Sequence, residues 1–381
     1  MDFTIERNTL LKPLGHIYSI VERRNTIPIL SNVLIETNSS KVSFTATDMD
    51  MDIVETARCI VSTQGKVTVS AHTLYDIVRK LTDGSEISIK LTDTNLEVSA
   101  GKSKFILPTL PVDDYPIMSE IENVSKFFIQ SVDLASLIDN TKFAISLEET
   151  RYYLNGIFFH VPDSNKDKLR AVATDGHRLA QAEIPLPNGA ESIPSIILPR
   201  KAVGEIRKLT DLTDGSVEII ISDTKVKFIF PNTILTTKLI DGTFPDYQRV
   251  IPKENLNKLM VSKSEFSKAI DRVSTVSIEK SRAVKLSLIN NLLSLNVSSH
   301  DLGNASEELE IDYNYDNLEI GFNAKYLLDI AAQIQGKEIE ILLSDSSSPA
   351  LITDPDQDLS LIHISEPTRR YAISYAVFCL K

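Results

Sequence analysis

Ala171-Val172-Ala173-Thr174-Asp175-Gly176-His177-Arg178-Leu179-Ala180 is the stretch on which the reading of this chain turns. An apolar strand from Leu169 to Ala173 reaches Asp175-Gly176 and leaves through Leu179 and Ala180. Asp-Gly between two apolar runs signals a hairpin or tight turn, because glycine accepts positive φ without a steric penalty. On spacing alone, His177 and Arg178 are two solvated polar residues beside an ordinary turn. Weaker copies of the stretch and its surroundings elsewhere in the chain give it more weight.

Working outward, the surrounding unit begins with a strand at Phe127-Phe128-Ile129 and a helix opening at Val132 to Ile138. Strands at Gly156 to Phe159 and Leu169 to Ala173 follow, the second ending in Thr174-Asp175. Ile196 to Pro199 then leads into a helix through Leu209, Gly215-Ser216 breaks it, Val217 to Ile221 alternates, and Phe244-Pro245-Asp246-Tyr247 closes the unit. An earlier unit has the same order. It runs strand Phe3 to Glu6, helix Asn8 to Arg23, strands Val33 to Glu36 and Val42 to Ala46 ending in Thr47-Asp48, and a strand Asp52 to Val61. Val67 to Ser70 then feeds a helix at Leu74 to Leu81, Gly84-Ser85 breaks it, and strands follow to Leu110. A later unit has helix Lys263 to Val273, strands Val284 to Leu288 and Leu292 to Val297, helix Ala324 to Ile334, and Gly336 before Glu338 to Leu343. The copies lie roughly 120–130 residues apart, a domain-sized period and too long for a solenoid. The pattern predicts three α+β domains of one fold, each with antiparallel sheets and two helices on one side, the second helix stopped by Gly at C′. Boundaries fall near Ile121 to Ser125 and Pro252 to Asn257, giving domains 1–122, 123–253 and 254–358 and a tail 359–381.

Composition narrows the function classes. The 381 residues are 42% hydrophobic, enough for two or three cored domains. No run approaches the 18 apolar residues of a membrane span. Met1-Asp2-Phe3 opens directly into a strand, and Cys59 and Cys379 stand far apart, so a cytoplasmic protein without a disulfide framework or zinc site is expected. A net charge of −12 argues against a nucleic-acid coat but averages over faces.

Candidate chemistry is sparse. The six histidines (His16, His72, His160, His177, His300 and His363) make no metal-site spacing, and no cofactor is expected. Ala100-Gly101-Lys102-Ser103 resembles a P-loop ending, but Leu96 stands at the first glycine and a strand follows. Asp48-Met49-Asp50-Met51-Asp52 could hold a hard cation, though a solvated strand face suits it better. A general base at Asp175 or His177 lacks a nucleophile and an orienting partner. The cations fall on predicted helices (Arg79, Lys80, Arg200, Lys201, Arg207, Lys208, Lys263, Lys268, Arg272), while many acids sit in strands and loops. This is either the usual solvated helix face or, if the helices share one surface, a basic surface suited to phosphates. From the residues alone a binder of phosphates through a basic helix surface, a hydrolase or transferase centred on Asp175 and His177, and a protein-only scaffold all remain open.

Thr174 to Ala180, Arg151-Tyr152-Tyr153-Leu154-Asn155-Gly156, Phe244 to Tyr247, Arg24 with Thr26 to Asn32, and Leu198-Pro199-Arg200-Lys201 together resemble the bacterial DNA polymerase III beta subunit family, the replication sliding clamps. The similarity runs in register over about residues 1–355. It implies a non-catalytic head-to-tail homodimer: a closed ring of six domains whose helices line a hole around double-stranded DNA, tethering the polymerase without reading sequence. It also implies a clamp-loader complex that opens the ring, and partners (the polymerase III alpha subunit, other polymerases, repair proteins) that dock a short Gln- and Leu/Phe-containing peptide. By position, the peptide pocket is Leu154, Thr174, Gly176, His177, Arg178, Leu179, Pro245 and Val250. Arg24, Tyr152, Tyr153, Arg200 and Lys201 match DNA-facing positions. Phe105 and Leu107 are implied to meet Thr275 and Val276 of the other subunit through strand pairing.

Two departures stand out. His72-Thr73 occupies the start of the second helix, where the family usually has basic residues, which questions a DNA contact there. After Asp358, the run Leu359 to Arg369 resembles translated adapter sequence rather than the apolar strand and Met-Pro ending that wall the family's pocket. The tail is therefore expected to be non-native and, if real, to cost the third domain its last strand.

Overall fold

A computed structural model describes the chain except residues 24–25, 123, 278–281, 300, 356–358 and 364–381, with the backbone alone at 359–363. The first repeat comprises β1 (Asp2–Glu6), α1 (Arg7–Ile20), β2 (Asn32–Asn38), β3 (Lys41–Thr47), β4 (Met51–Arg58), β5 (Ile60–Thr63), β6 (Gly65–Ser70), α2 (Ala71–Lys80), β7 (Glu86–Thr92), β8 (Asn95–Ala100) and β9 (Ser103–Leu110). The second comprises β10 (Ser125–Gln130), α3 (Ser131–Lys142), β11 (Gly156–His160), β12 (Lys168–Thr174), β13 (Arg178–Pro185), β14 (Ile196–Pro199), α4 (Arg200–Thr210), β15 (Ser216–Ile221), β16 (Lys225–Ile229) and β17 (Thr233–Lys238). In the third are β18 (Asn257–Ser262), α5 (Lys263–Ser274), β19 (Ala283–Ile289), β20 (Leu292–Ser299), β21 (Gly303–Glu310), β22 (Leu318–Asn323), α6 (Ala324–Gln333), β23 (Glu338–Leu343), β24 (Ala350–Thr353) and β25 (Leu359–His363).

The same joint holds the two helices of each repeat. The first residue of the leading helix bonds back to the segment that follows the second helix. Arg7 N–H donates to Ser85 O at 2.9 Å, Ser131 N–H to Gly215 O at 2.8 Å, and Lys263 N–H to Lys337 O at 2.9 Å. The side chains of these residues then satisfy carbonyls at or just beyond the second helix's C-terminus. Arg7 reaches Val78 O at 3.0 Å and Arg79 O at 2.6 Å, Ser131 Oγ reaches Thr213 O at 2.6 Å, and Lys263 Nζ reaches Ile334 O. Orphan carbonyls thus find donors, and cations sit at the negative helix end. At this same N-terminal end of α1 the Glu6 carboxylate accepts from Asn8 N–H at 2.8 Å and Thr9 N–H at 2.7 Å, bonds that hold it below the usual carboxylate range. The apolar stripe of α1 (Leu10, Leu14, Ile17) is fully buried.

The chain packs as two compact units, residues 1–138, 159–169 and 184–242 in one and 139–158, 170–183 and 243 onward in the other. The division cuts through the second repeat because its strands pair in opposite directions along the chain. In the first unit β17 joins β4 (Thr237 opposite Met51), making one 13-stranded sheet in the order β10-β15-β16-β17-β4-β3-β2-β6-β9-β8-β7-β1-β5. In the second unit β13 joins β25, which continues through β24 and β23 to β18, and β21-β20-β19-β22 form a separate sheet.

Several expectations are corrected. The strand expected over Asp52 to Val61 is two strands: Cys59 N–H turns to Ser40 O at 3.1 Å, ending β4, and β5 pairs with β1 instead. Gly84 (φ +73°) and Gly215 (φ +100°) lie beyond the helix ends, in the turns into β7 and β15; the C-caps are Leu81 and Asp211. Asp48 to Asp50 are a turn rather than a strand face, and Asp52 is buried, which pushes its carboxyl up. Among the described residues no cluster could hold a metal ion, and no helix is long and apolar enough to cross a membrane. The third repeat keeps its last strand: β25 pairs Leu361 with Ile352 on one side and Ala180 on the other. Main-chain pairing needs only an extended segment, which Leu359-Ser360-Leu361 supplies. Arg24 and the tail beyond His363 lie outside the described residues.

Candidate functional site

The stretch from Thr174 to Leu179 forms a closed turn between β12 and β13. Asp175 Oδ1 accepts from His177 N–H at 2.9 Å and Arg178 N–H at 3.0 Å. Thr174 Oγ1 accepts from Gly176 N–H at 3.1 Å and donates to Arg178 O at 2.7 Å. Gly176 sits at φ +87°, and an added Cβ would meet Arg151 Nη1 at 2.5 Å. The residue types follow from this geometry: a short acceptor at each of two positions and glycine where φ is positive.

Burial divides the eight predicted pocket residues. Leu154, Thr174, Arg178 and Leu179 are buried, Val250 is partly exposed, and Gly176, His177 and Pro245 face solvent. Arg178 is therefore support rather than rim. Its Nη1 contacts Asp329 Oδ2 at 2.7 Å, Nε contacts Asp175 Oδ2 at 3.2 Å, and Nη2 donates to Phe143 O at 2.6 Å. Its guanidinium lies 4.3 Å from the Tyr326 ring centroid. Thus one buried fork joins the turn, the segment after α3, and α6. The closing motif is similarly anchored: Phe244 stacks on Phe158 at 4.8 Å, and the Tyr247 hydroxyl accepts from Arg170 Nη1 at 2.7 Å. His177, Gly176 and Pro245 stand in solvent, whereas Leu154 and Leu179 are buried. Sequence reading missed Asp329, Phe143 and Tyr326, because no motif announces a long-range partner of a buried arginine.

The predicted DNA-facing residues fall in two places. Tyr152 is exposed and Tyr153 half-exposed, their rings 5.8 Å apart. Arg200 and Lys201 open α4; Lys201 pairs with Asp48 and lies 3.8 Å from Glu22. Many helix cations are likewise paired at the surface, among them Arg79 with Asp76, Lys208 with Glu205 and Arg272 with Glu307. Such exposed pairs are screened by water and salt and add little stability. Lys12, Arg200 and Lys268 are exposed and have no carboxylate partner among the described residues. His72 is committed to packing: Nε2 contacts Val21 O at 2.9 Å and the ring meets Tyr18 edge-on at 4.5 Å.

At the predicted subunit contact, Phe105 is half-buried, Leu107 buried, Thr275 exposed and Val276 half-buried. Within the first unit β9 pairs with β8 along its length but with β6 only at Thr109 and Leu110, so its other edge is open from Ser103 to Pro108. In the second unit β21 is likewise the end strand of its sheet.

Three antiparallel repeats, an exposed Asp-Gly turn locked by a buried arginine, and open strand edges define a class: a repeated-domain binding protein. The comparisons make this specific. Family models for the DNA polymerase III beta subunit match in succession, the N-terminal domain at 1–119, the central domain at 128–246 and the C-terminal domain at 248–367. The beta sliding clamp of Caulobacter vibrioides is 49% identical over 93% of this chain and 96% of its own length, and that of Pseudomonas aeruginosa 38% identical over 94% and 97%. Among solved structures, the Bartonella birtlesii sliding clamp bound to griselimycin superposes with a TM-score of 0.94 at 46% identity, covering 96% of this chain and 99% of that one. The Caulobacter crescentus polymerase III beta superposes with a TM-score of 0.92 at 48% identity, over 96% and 100%. The chain belongs to the DNA polymerase III beta subunit family, the non-catalytic sliding clamps that keep the replicative polymerase processive.

Proposed function

We propose that two copies of this chain close head to tail into a ring around duplex DNA and dock partners on the surface around His177. In this reading Leu154, Thr174, Gly176, His177, Arg178, Leu179, Pro245 and Val250 form the peptide pocket. The polymerase III alpha subunit, the clamp loader and other polymerases and repair proteins compete for it in the cytoplasm. The observation that carries the reading is the division of labour at the turn: Arg178 and Asp175 lock the backbone and leave His177 exposed, while Leu179 in the following strand and Leu154 are buried. A rigid apolar base with a few polar rim groups suits a short linear peptide. Lys12, Arg200, Lys201 and Lys268, with Arg24, Tyr152 and Tyr153, serve the duplex by phosphate contacts and stacking. Phe105 and Leu107 meet Thr275 and Val276, at the end of α5 of the second copy, and the open edge of β9 is covered by that copy's end strand β21.

His177→Ala weakens a Gln- and Leu/Phe-containing peptide about tenfold, a typical loss for an anchoring side chain, and leaves the melting temperature unchanged. Calorimetric titration checks this; wild-type affinity in the variant would remove His177 from the pocket.

A further inference from the structure

The turn that builds the proposed pocket occurs twice. In the first unit Thr47 Oγ1 accepts from Met49 N–H at 3.0 Å, and Asp48 Oδ1 accepts from Asp50 N–H at 3.0 Å and Met51 N–H at 2.7 Å. These are the bonds that Thr174 and Asp175 make to Gly176, His177 and Arg178. Met49 holds φ +77° where Gly176 holds φ +87°, an uncommon conformation for a residue with a side chain. The elements around each turn correspond as well. Leu30 and Leu154 are both buried at the end of a short 3-10 helix before β2 and β11. Tyr115 and Tyr247 are both buried in the closing segments. β4 leaves its turn against β17 with Met51 opposite Thr237, as β13 leaves against β25 with Arg178 opposite His363.

Beside the first turn lies a groove of about 670 Å³, whose lining includes Leu30, Met49, Met51, Pro199, Leu239 and Ile240. Met49 is 47% exposed at its mouth. The rim is charged: Glu22, Asp48 and Asp50 face Lys201 and Lys238, with Lys238 Nζ 3.0 Å from Asp50 Oδ1. Three carboxylates against two lysines leave the rim net acidic, and Asp50 and Glu22 are its most exposed members at 79% and 63% of their side chains.

We propose that this groove is a second peptide site, which takes an extended partner segment by an apolar side chain set on Met49, Met51 and Leu239 with a lysine or arginine next to it at Asp50 and Glu22. The proposal rests on the reading of the His177 surface as a peptide pocket, since it assigns the same work to the repeated turn. The basic flank separates the two sites. At the corresponding position the His177 turn carries an imidazole, whereas this one carries a carboxylate, and a difference in rim charge selects between partners.

The chain holds five methionines, Met1, Met49, Met51, Met118 and Met260, so two of five labelled methyl groups report on the groove. The full-length protein with 13C-methyl methionine is titrated with an acetylated, amidated hexapeptide that has Gln first, a Leu-Phe pair and Lys last. His177 ring signals are followed in the same samples. The expected result is saturable movement of Met49 and Met51, with Met1 and Met260 still, at peptide concentrations on the order of tenfold above those that saturate His177. Replacing the peptide's Lys by Glu weakens the methionine response at least threefold. In Met49→Asp the Met51 response is lost while the His177 response persists. Static Met49 and Met51 signals at a hundred times the concentration that saturates His177 overturn the second site and leave the first standing. Movement of the methionines without His177 supports the groove and overturns the first reading, and stillness of both overturns both.

Discussion

Replacing Arg178 by alanine lowers the melting temperature of the second unit by about 10 °C and abolishes peptide binding at the His177 turn. The guanidinium is buried and satisfied by Asp175, Asp329 and the Phe143 carbonyl, with Tyr326 against its face. Truncation leaves Asp329 without its cation, the Phe143 carbonyl without a donor, and a void beside Tyr326. Breaking a buried pair by removing one partner costs about 3–5 kcal/mol, at about 2–4 °C per kcal/mol for a unit of this size. Arg178→Lys keeps the charge but not the fork and falls between alanine and wild type. Differential scanning calorimetry of the three proteins checks the order. Equal melting temperatures for alanine and wild type would mean that Arg178 does not join the turn to α6.

Replacing Phe105 by aspartate converts the dimer to monomer at micromolar concentration. Phe105 sits half-buried on β9, whose edge is unpaired from Ser103 to Pro108. An apolar anchor at the centre of an interface is worth about 2 kcal/mol or more, roughly a thirtyfold rise in the dissociation constant, and a buried carboxylate adds its own desolvation. The neighbouring charges favour a specific mate: Lys102 and Lys104 precede Phe105, and the end strand β21 exposes Glu308 and Glu310. Sedimentation velocity with circular dichroism separates dissociation from unfolding. A folded, fully dimeric Phe105→Asp protein would place the interface elsewhere.

Much of this was legible in the sequence where chemistry is local. Thr-Asp before a turn at 47–48 and 174–175 marked a repeat, because an Asx-type turn needs those acceptors at those offsets. The three helix pairs were visible for the same reason, since an apolar stripe and a breaker lie within one window. Long-range register was not. Nothing near Asp52 to Val61 shows that Cys59 turns to Ser40, and nothing near Arg178 points to Asp329, 151 residues away. The glycines were read as helix caps because breakers shortly after a helix look alike whether they cap it or open the next strand. Met49 was opaque for the opposite reason: a positive φ is hard to suspect where no glycine or asparagine stands. At the His177 turn the residues legible as motif are the exposed rim and its backbone locks. The supports that hold it, Phe143, Tyr326 and Asp329, follow from tertiary packing alone.

The most direct test of the two-chain ring is the mass of the intact protein by light scattering across a wide concentration range. A two-chain ring gives twice the chain mass of 42.4 kDa, unchanged on dilution to micromolar. A mass of 42.4 kDa at every concentration would contradict it.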